Sequence, residues 1–283
     1  VEMVSWRPGP GLRPYLGPVY GYRQDGGAPG VHRGVASPWL TVILTWDEPL
    51  RLAEGAGTQG YGDLVGGLHL APETIVHDGR QCGIQVALHP RGALALLGVP
   101  AGELAFRNVA GGDVLPGLGE LRERLGGATG WAERFTLLER FLLARLDGRP
   151  RGRPVLRDEI AQGWRRVLET GGAVGVAELA AETGWSERYL RRGFVEQVGM
   201  PPGTLGRVVR FDTARSALRA RAVRGEPLRL AELAHATGYT DQAHLSREFR
   251  AFTGLPPLRY VRAEFLDEAF RFVQDDDGAA GEE

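Results

Sequence analysis

The feature that most constrains this chain is a segment that occurs twice. "AELAAETGW" at residues 177 to 185 matches "AELAHATGY" at 231 to 239, an offset of 54. Past the turn the offset becomes 55: Leu190 pairs with Leu245, Arg192 with Arg247, Phe194 with Phe249, Gly199 with Gly254, and Pro201-Pro202 with Pro256-Pro257. The second copy therefore carries one extra residue at its turn. Each copy reads as a short Ala/Leu helix, a turn through Gly184 or Gly238, an N-cap at Ser186 or Thr240, and a second helix with apolar anchors at i and i+4. That is helix-turn-helix anatomy.

In the second helix of the first copy, Leu190, Phe194 and Val198 face inward, which leaves Arg188, Arg191 and Arg192 outward. In the second copy Leu245, Phe249 and Phe252 anchor, leaving Gln242, Ala243, Ser246, Arg247 and Arg250 outside. These side chains suit base reading: Arg matches guanine N7 and O6, Gln matches adenine, and small residues sit near thymine methyls. A single such face is equally well the solvated surface of a helical bundle; two in register, each after the same turn, point to DNA. Between them, residues 204 to 223 form a helical pattern with Leu205, Val208, Phe211, Ala214 and Leu218 inward. Its length of about 30 Å compares with about 34 Å between successive major grooves on one DNA face.

Charge agrees once it is resolved along the chain. The net charge of −1 excludes a uniformly basic nucleic-acid binder, yet residues 176 to 265 hold 14 Arg against 10 acidic residues. The tail "DDDGAAGEE" supplies compensating negatives and is expected to be disordered. "DGRPRGRPV", residues 147 to 155, reads as an interdomain linker.

Ahead of that linker the pattern changes to short β-runs split by Gly, Pro and Asp: "PVYGYR", "WLTVILTW", "DLVGGLHL", "ETIVHD" and "CGIQVALH". They predict a barrel or sandwich. "RGALALLG" predicts a short helix, and "GWAERFTLLERFLLARLDG" a strong one, with Trp131, Phe135, Leu138, Leu142 and Leu146 at steps of three or four. Leu137 and Phe141 widen that stripe, so it can serve its own core or offer a face to a second subunit. Cys82 lies in a strand-like run and is expected to be a buried, inert thiol; a lone Cys excludes an internal disulfide and two-Cys zinc or redox motifs. No segment reaches about 18 uninterrupted apolar residues, and the N-terminus lacks a signal-peptide pattern, so a soluble cytoplasmic protein is expected.

"GYTDQAHLSREFRAFTGLPPLRYV" closely resembles the C-terminal signature of AraC/XylS-type transcription regulators, and "ELAAETGWSERYLRRGFVEQVGMPP" with "RFDTARSAL" resembles their first helix-turn-helix and connecting helix. The resemblance covers roughly residues 155 to 265 and implies a seven-helix domain whose two recognition helices enter successive major grooves. By position it makes Arg188, Arg191 and Arg192 base or backbone contacts on the first helix, and Gln242, Ser246 and Arg247 those on the second. Gly193, inside the first recognition helix, departs from the pattern and costs about 1 kcal/mol of helix propensity relative to Ala. More loosely, "LRPYLGPVYGYR" and "ALHPRGALALLGVPAGEL" resemble the β-rich N-terminal domain of one subgroup. The alkyl-damage-repair proteins that share this helix-turn-helix use a zinc-bound Cys cluster, which a single Cys removes.

The resemblance implies that the N-terminal domain senses a small molecule or supplies a dimer contact. No His-X-His occurs; His69 and His77 flank a hairpin with Glu73 between them, which makes a cupin-like metal activity a distant third reading. Tyr20 and Tyr22 alternate on one strand while Trp39 and Trp46 bracket another, so Tyr20, Tyr22 and Trp46 are candidates to line an apolar pocket, if not ordinary barrel core.

The expectation is thus an α+β chain: a β-barrel, cupin-like sensory or dimerisation domain with appended helices over 1–147, a linker over 148–154, an all-α double helix-turn-helix domain over 155–265, and an extension over 266–283. The DNA-contacting set is Ser186, Arg188, Arg191, Arg192, Thr240, Gln242, Ala243, Ser246, Arg247 and Arg250. The expected partners are promoter or operator DNA, RNA polymerase, a small-molecule effector and a second copy of the chain, with no membrane, no cofactor, no metal and no enzymatic activity. The alternative is a DNA-binding regulator whose N-terminal domain makes protein contacts only.

Overall fold

A computed structural model describes residues 2–148, 152 and 155–266. Most of the expected linker and nearly all of the C-terminal extension fall outside those residues.

The five expected β-runs all form strands, accompanied by five others: β1 (Glu2–Trp6), β2 (Leu16–Gln24), β3 (Gly30–Gly34), β4 (Leu40–Thr45), β5 (Leu50–Glu54), β6 (Gly57–Tyr61), β7 (Asp63–Gly66), β8 (Glu73–His77), β9 (Gln81–Leu88) and β10 (Asn108–Ala110). They make two antiparallel sheets, ordered β1-β2-β9-β4-β7-β10 and β3-β8-β5-β6. Alternation along the strands divides the larger sheet into two faces. Val42, Leu44, Ile84, Val86 and Leu88 join the main core with the helices, whereas Ile43 and Leu64, directly opposed across β4 and β7, face the smaller sheet and pack with Leu50, Leu52 and Ile75.

The first helices are short: α1 (Pro90–Gly92), a π-turn (Ala93–Leu97), α2 (Ala101–Leu104) and α3 (Gly111–Val114). "RGALALLG" is therefore mostly π-turn and not a regular α-helix, closed by a Gly98 N–H bond to the Ala93 carbonyl at 3.1 Å. All five of Ala93 to Leu97 are buried, and a wider turn lets consecutive apolar residues reach the core together. Helices α4 (Leu118–Gly127) and α5 (Trp131–Asp147) cover the sheet. The α5 stripe packs inward, with Phe135, Leu138 and Leu142 buried and Trp6 stacked on Phe135 at 5.5 Å. Cys82 is buried, and burial raises its thiol pKa.

Everything that follows is helical: α6 (Asp158–Glu169), α7 (Val176–Thr183), α8 (Glu187–Gln197), α9 (Pro202–Val223), α10 (Leu230–Ala236), α11 (Gln242–Thr253), α12 (Pro257–Val261) and a second π-turn (Arg262–Leu266). Among the described residues no helix is long and apolar enough to cross a membrane.

Candidate nucleic-acid interface

Each copy of the repeat folds as two helices joined by a left-handed glycine. Gly184 at φ 70° and Gly238 at φ 78° occupy a region that L side chains rarely adopt. Inward anchors are complete: Leu190, Phe194, Val198, Leu245 and Phe249 are fully buried, and Phe252 nearly so. The same holds on α9 for Leu205, Val208, Phe211, Ala214 and Leu218. With 22 residues, α9 runs about 33 Å.

The caps differ from expectation in one copy. Ser186 caps α8 as expected, its hydroxyl accepting from the Tyr189 N–H at 3.3 Å. In the second copy Thr240 is not the cap. Asp241 takes that place, accepting from the His244 N–H at 2.7 Å, while the Thr240 hydroxyl meets His244 Nδ1 at 3.2 Å. The extra residue at this turn shifts the cap by one, and an ionised carboxylate also suits a helix N-terminus better than a hydroxyl.

Gly193 has a physical reason. A Cβ there would meet Ile160 Cδ1 of α6 at 2.9 Å and the Trp185 ring at 3.3 Å, so glycine lets α6 and α8 pack closely.

On the outer faces Ser186, Arg188, Arg191, Arg192, Thr240, Gln242, Ala243, Arg247 and Arg250 are exposed and Ser246 is partly exposed. Their electrostatic settings differ. Arg191 pairs with Glu187 at 2.8 Å and Arg192 approaches Glu196 at 3.5 Å, both along α8. Among the described residues no ion pair involves Arg188, Arg247 or Arg250. Glu248, the acidic residue on α11, is turned inward and held by Arg207 of α9 at 2.8 Å. Tyr189 is not among the expected contacts. It is exposed on α8, receives a hydrogen bond from Arg157 at 3.2 Å and lies under the Arg192 guanidinium at 5.2 Å. Its spacing of three from both Ser186 and Arg192 was the available signal.

The family model of the helix-turn-helix domain matches residues 179–263. These residues form an AraC-type helix-turn-helix domain. Among curated relatives, the F1 operon positive regulatory protein of Yersinia pestis is 37% identical to this chain over 87 residues, which is 31% of this chain and 27% of that protein. The chain thus matches about a quarter of that relative's length. Among solved structures, the apo K231A form of ToxT from Vibrio cholerae aligns with 87% of this chain and 97% of its own at a TM-score of 0.50 and 10% identity, so the fold is shared through both regions. The C-terminal domain of AraT from Geobacillus stearothermophilus aligns with 43% of this chain and 96% of its own, at 19% identity and a TM-score of 0.36.

The AraC-type domain is fastened to the β-rich region at two places. Near the first copy, Trp164 of α6 is buried against His89 at 4.0 Å and Trp39 at 5.0 Å between ring centroids. Burial lowers the His89 pKa to about 4, with Arg91 adding to the effect, and its Nδ1 accepts from the Arg91 N–H, so the ring is neutral. Beside it, a Cβ on Gly102 of α2 would lie 2.2 Å from the Glu196 carbonyl at the end of α8. Near the second copy, the buried carboxylate of Glu264 in the second π-turn accepts from Arg33 Nη1 at 2.9 Å and from the Arg33 N–H at 3.3 Å.

Between the two sheets, and bounded by α9 and that π-turn, lies a cavity of about 290 Å³. Tyr20 and Tyr22 oppose Gln85 and Gly83 on the inward face of the larger sheet, yet neither they nor Trp46 line this cavity. Tyr22 instead covers Gly83, and Trp46 lies on the helical side beneath the Arg134 guanidinium. His69, His77 and Glu73 do not converge: Glu73 accepts from Asn108 at 2.5 Å and His77 neighbours His32. Among the described residues no three His, Cys, Asp or Glu side chains form a metal-ligating group.

Proposed function

We propose that this protein is a sequence-specific transcription regulator whose two helix-turn-helix units read adjacent major grooves, under control of a small molecule held by the β-rich region. In this reading the sensory region spans 1–147, the linker 148–154 and the reading domain 155–265. The observation that carries it is the pair of exposed outer faces on α8 and α11, separated by a connecting helix about one groove repeat long. On α8 the contacts fall to Ser186, Arg188, Arg191 and Arg192, with Tyr189 added; on α11 they fall to Gln242, Ala243, Ser246, Arg247 and Arg250, with Thr240 just ahead.

Effector control is favoured over protein contacts alone by the cavity, whose 290 Å³ lies near the lower end of ordinary ligand pockets, roughly 300 to 1,000 Å³. Promoter DNA and RNA polymerase are the partners of such a regulator, and the Yersinia pestis relative is named as a positive one. A duplex enriched from a random pool by the full chain, competed against bulk DNA, tests the reading. It predicts a preference of at least about 10³-fold; equal affinity for bulk DNA at the same salt would overturn it.

A further inference from the structure

The repeat equips its two reading helices unequally. At the offset of 55, Tyr189 and Glu196 of α8 correspond to His244 and Ala251 of α11. Arg192, the counterpart of Arg247, thus has beside it a tyrosine ring and a carboxylate that α11 does not repeat; His244 is turned instead to Tyr239 and Thr240. Both of those groups are engaged by Arg157, the N-cap residue of α6. Its Nη1 donates to the Tyr189 hydroxyl at 3.2 Å, and its Nη2 lies 3.9 Å from Glu196 Oε2, while Arg192 Nε lies 3.5 Å from Glu196 Oε1. The Arg157 backbone N–H donates to Gln197 at 2.9 Å, which fastens this residue to α8 from a second side.

Resting on the DNA-reading proposal above, we propose that Arg157 is a positioning residue for base recognition by Arg192. It does not touch DNA: it fixes Tyr189 and shares Glu196, and through them presets the Arg192 guanidinium in the free protein. The first unit reads with an arginine already aimed, and the second with one that is aimed on contact.

An exposed arginine surrenders rotamer freedom when it docks on a base. Arg192 has surrendered part of it beforehand, because its guanidinium lies 5.2 Å from the centre of the Tyr189 ring and a planar cation stacks well on an aromatic face. The ring can serve as that platform because it is fixed twice: Trp185 meets it edge-on at 4.6 Å, and Arg157 holds its hydroxyl. Glu196 acts as a counterweight. A carboxylate one turn away can retain an arginine, as Glu187 does Arg191 at 2.8 Å. Glu196 follows its arginine along the helix, the weaker orientation of such a pair, and Arg157 draws on its other oxygen. At 3.5 Å the Arg192–Glu196 contact is longer than a hydrogen bond, so Arg192 turns to DNA without breaking one.

Titration of the full chain with duplexes changed one base pair at a time within its selected site tests this. Arg192→Ala marks the base pair that Arg192 reads, by lowering the preference there at least about fivefold. Arg157→Ala should lower the preference at that same base pair about threefold, the cost of ordering one side chain only on binding, and leave the other positions and the salt slope unchanged. The double variant should discriminate no worse than Arg192→Ala alone. Arg157→Lys, which keeps the charge and loses the planar fork, should fall between wild type and Arg157→Ala, and serves if the alanine variant does not fold. In the free protein the Arg192 Nε–H resonance, assigned by its disappearance in Arg192→Lys, should show restricted fast motion that Arg157→Ala releases. Additive losses in the double variant, a loss shared by all duplexes, a salt slope lower by about one as for a phosphate contact, or an equally mobile Arg192 in both proteins would each overturn the proposal. A wild type without sequence preference would overturn the DNA reading and this proposal together; with that preference intact, failure falls on Arg157 alone.

Discussion

The two reading units share one design and are fastened differently to the rest of the molecule. The first is pinned by shape: Trp164 is wedged against His89 and Trp39, and Gly102 brings α2 to the end of α8. The second is tied by charge through Glu264 on Arg33, beside a cavity. Close packing resists exchange, and at the first junction it stands beside the Arg91–Asp158 pair at 3.9 Å and a cavity of about 250 Å³. Their outer faces also differ, with Arg191 and Arg192 held along α8 by carboxylates, whereas Arg188 on α8 and Arg247 and Arg250 on α11 have no ion pair among the described residues.

The largest expected effect comes from removing the wedge. Trp164→Ala should cost about 3 to 5 kcal/mol of stability, seen as a lowered denaturation midpoint. A change under about 1 kcal/mol would mean that the first unit is not pinned by shape.

A second break uses pH. His89 titrates near 6.5 when unfolded and near about 4 when folded, because burial disfavours its charged form. Below pH about 6.5 the unfolded chain binds a proton that the folded chain refuses, so stability is full above that value and falls towards pH 4, by of order 3 kcal/mol for this one group. His32, lowered to about 4 by burial and by His77, titrates over the same window. His89→Gln should thus flatten only part of the slope of stability against pH; an unchanged slope would remove His89 from the account.

The readable part of this architecture had local causes. The glycine turns, the i and i+4 anchors and the five apolar β-runs each lie within about twenty residues, and each formed. Ten strands formed where five were expected, because a strand such as β6, "GTQGY", is exposed along most of its length and shows no alternation. The Thr240 cap was misplaced by one residue because Asp241 competes for the same N–H. Tyr20 and Tyr22 share one face of β2 but do not line the cavity, since period-two alternation fixes a face and not a position across the sheet. The cavity and the Arg33–Glu264 pair beside it had no local signal: the two residues are 231 apart in sequence.

Smaller effects sharpen the contrast between the outer faces. Arg247→Ala should cost about 1 to 3 kcal/mol at the preferred site and relax discrimination at one base pair; an equal loss on every duplex would make Arg247 a phosphate contact. Glu187→Gln should strengthen DNA binding by a few tenths of a kcal/mol, the worth of the i,i+4 pair that Arg191 no longer has to leave. Reduced affinity in that variant would show that Glu187 orients Arg191 for DNA.

Hydroxyl-radical footprinting of the full chain on its selected duplex measures the central claim directly. Two protected patches on one DNA face, about 10 to 10.5 base pairs between centres, are predicted, with Arg191→Ala weakening one and Arg247→Ala the other. A single patch, or two patches that both variants weaken alike, would contradict reading by two separate units.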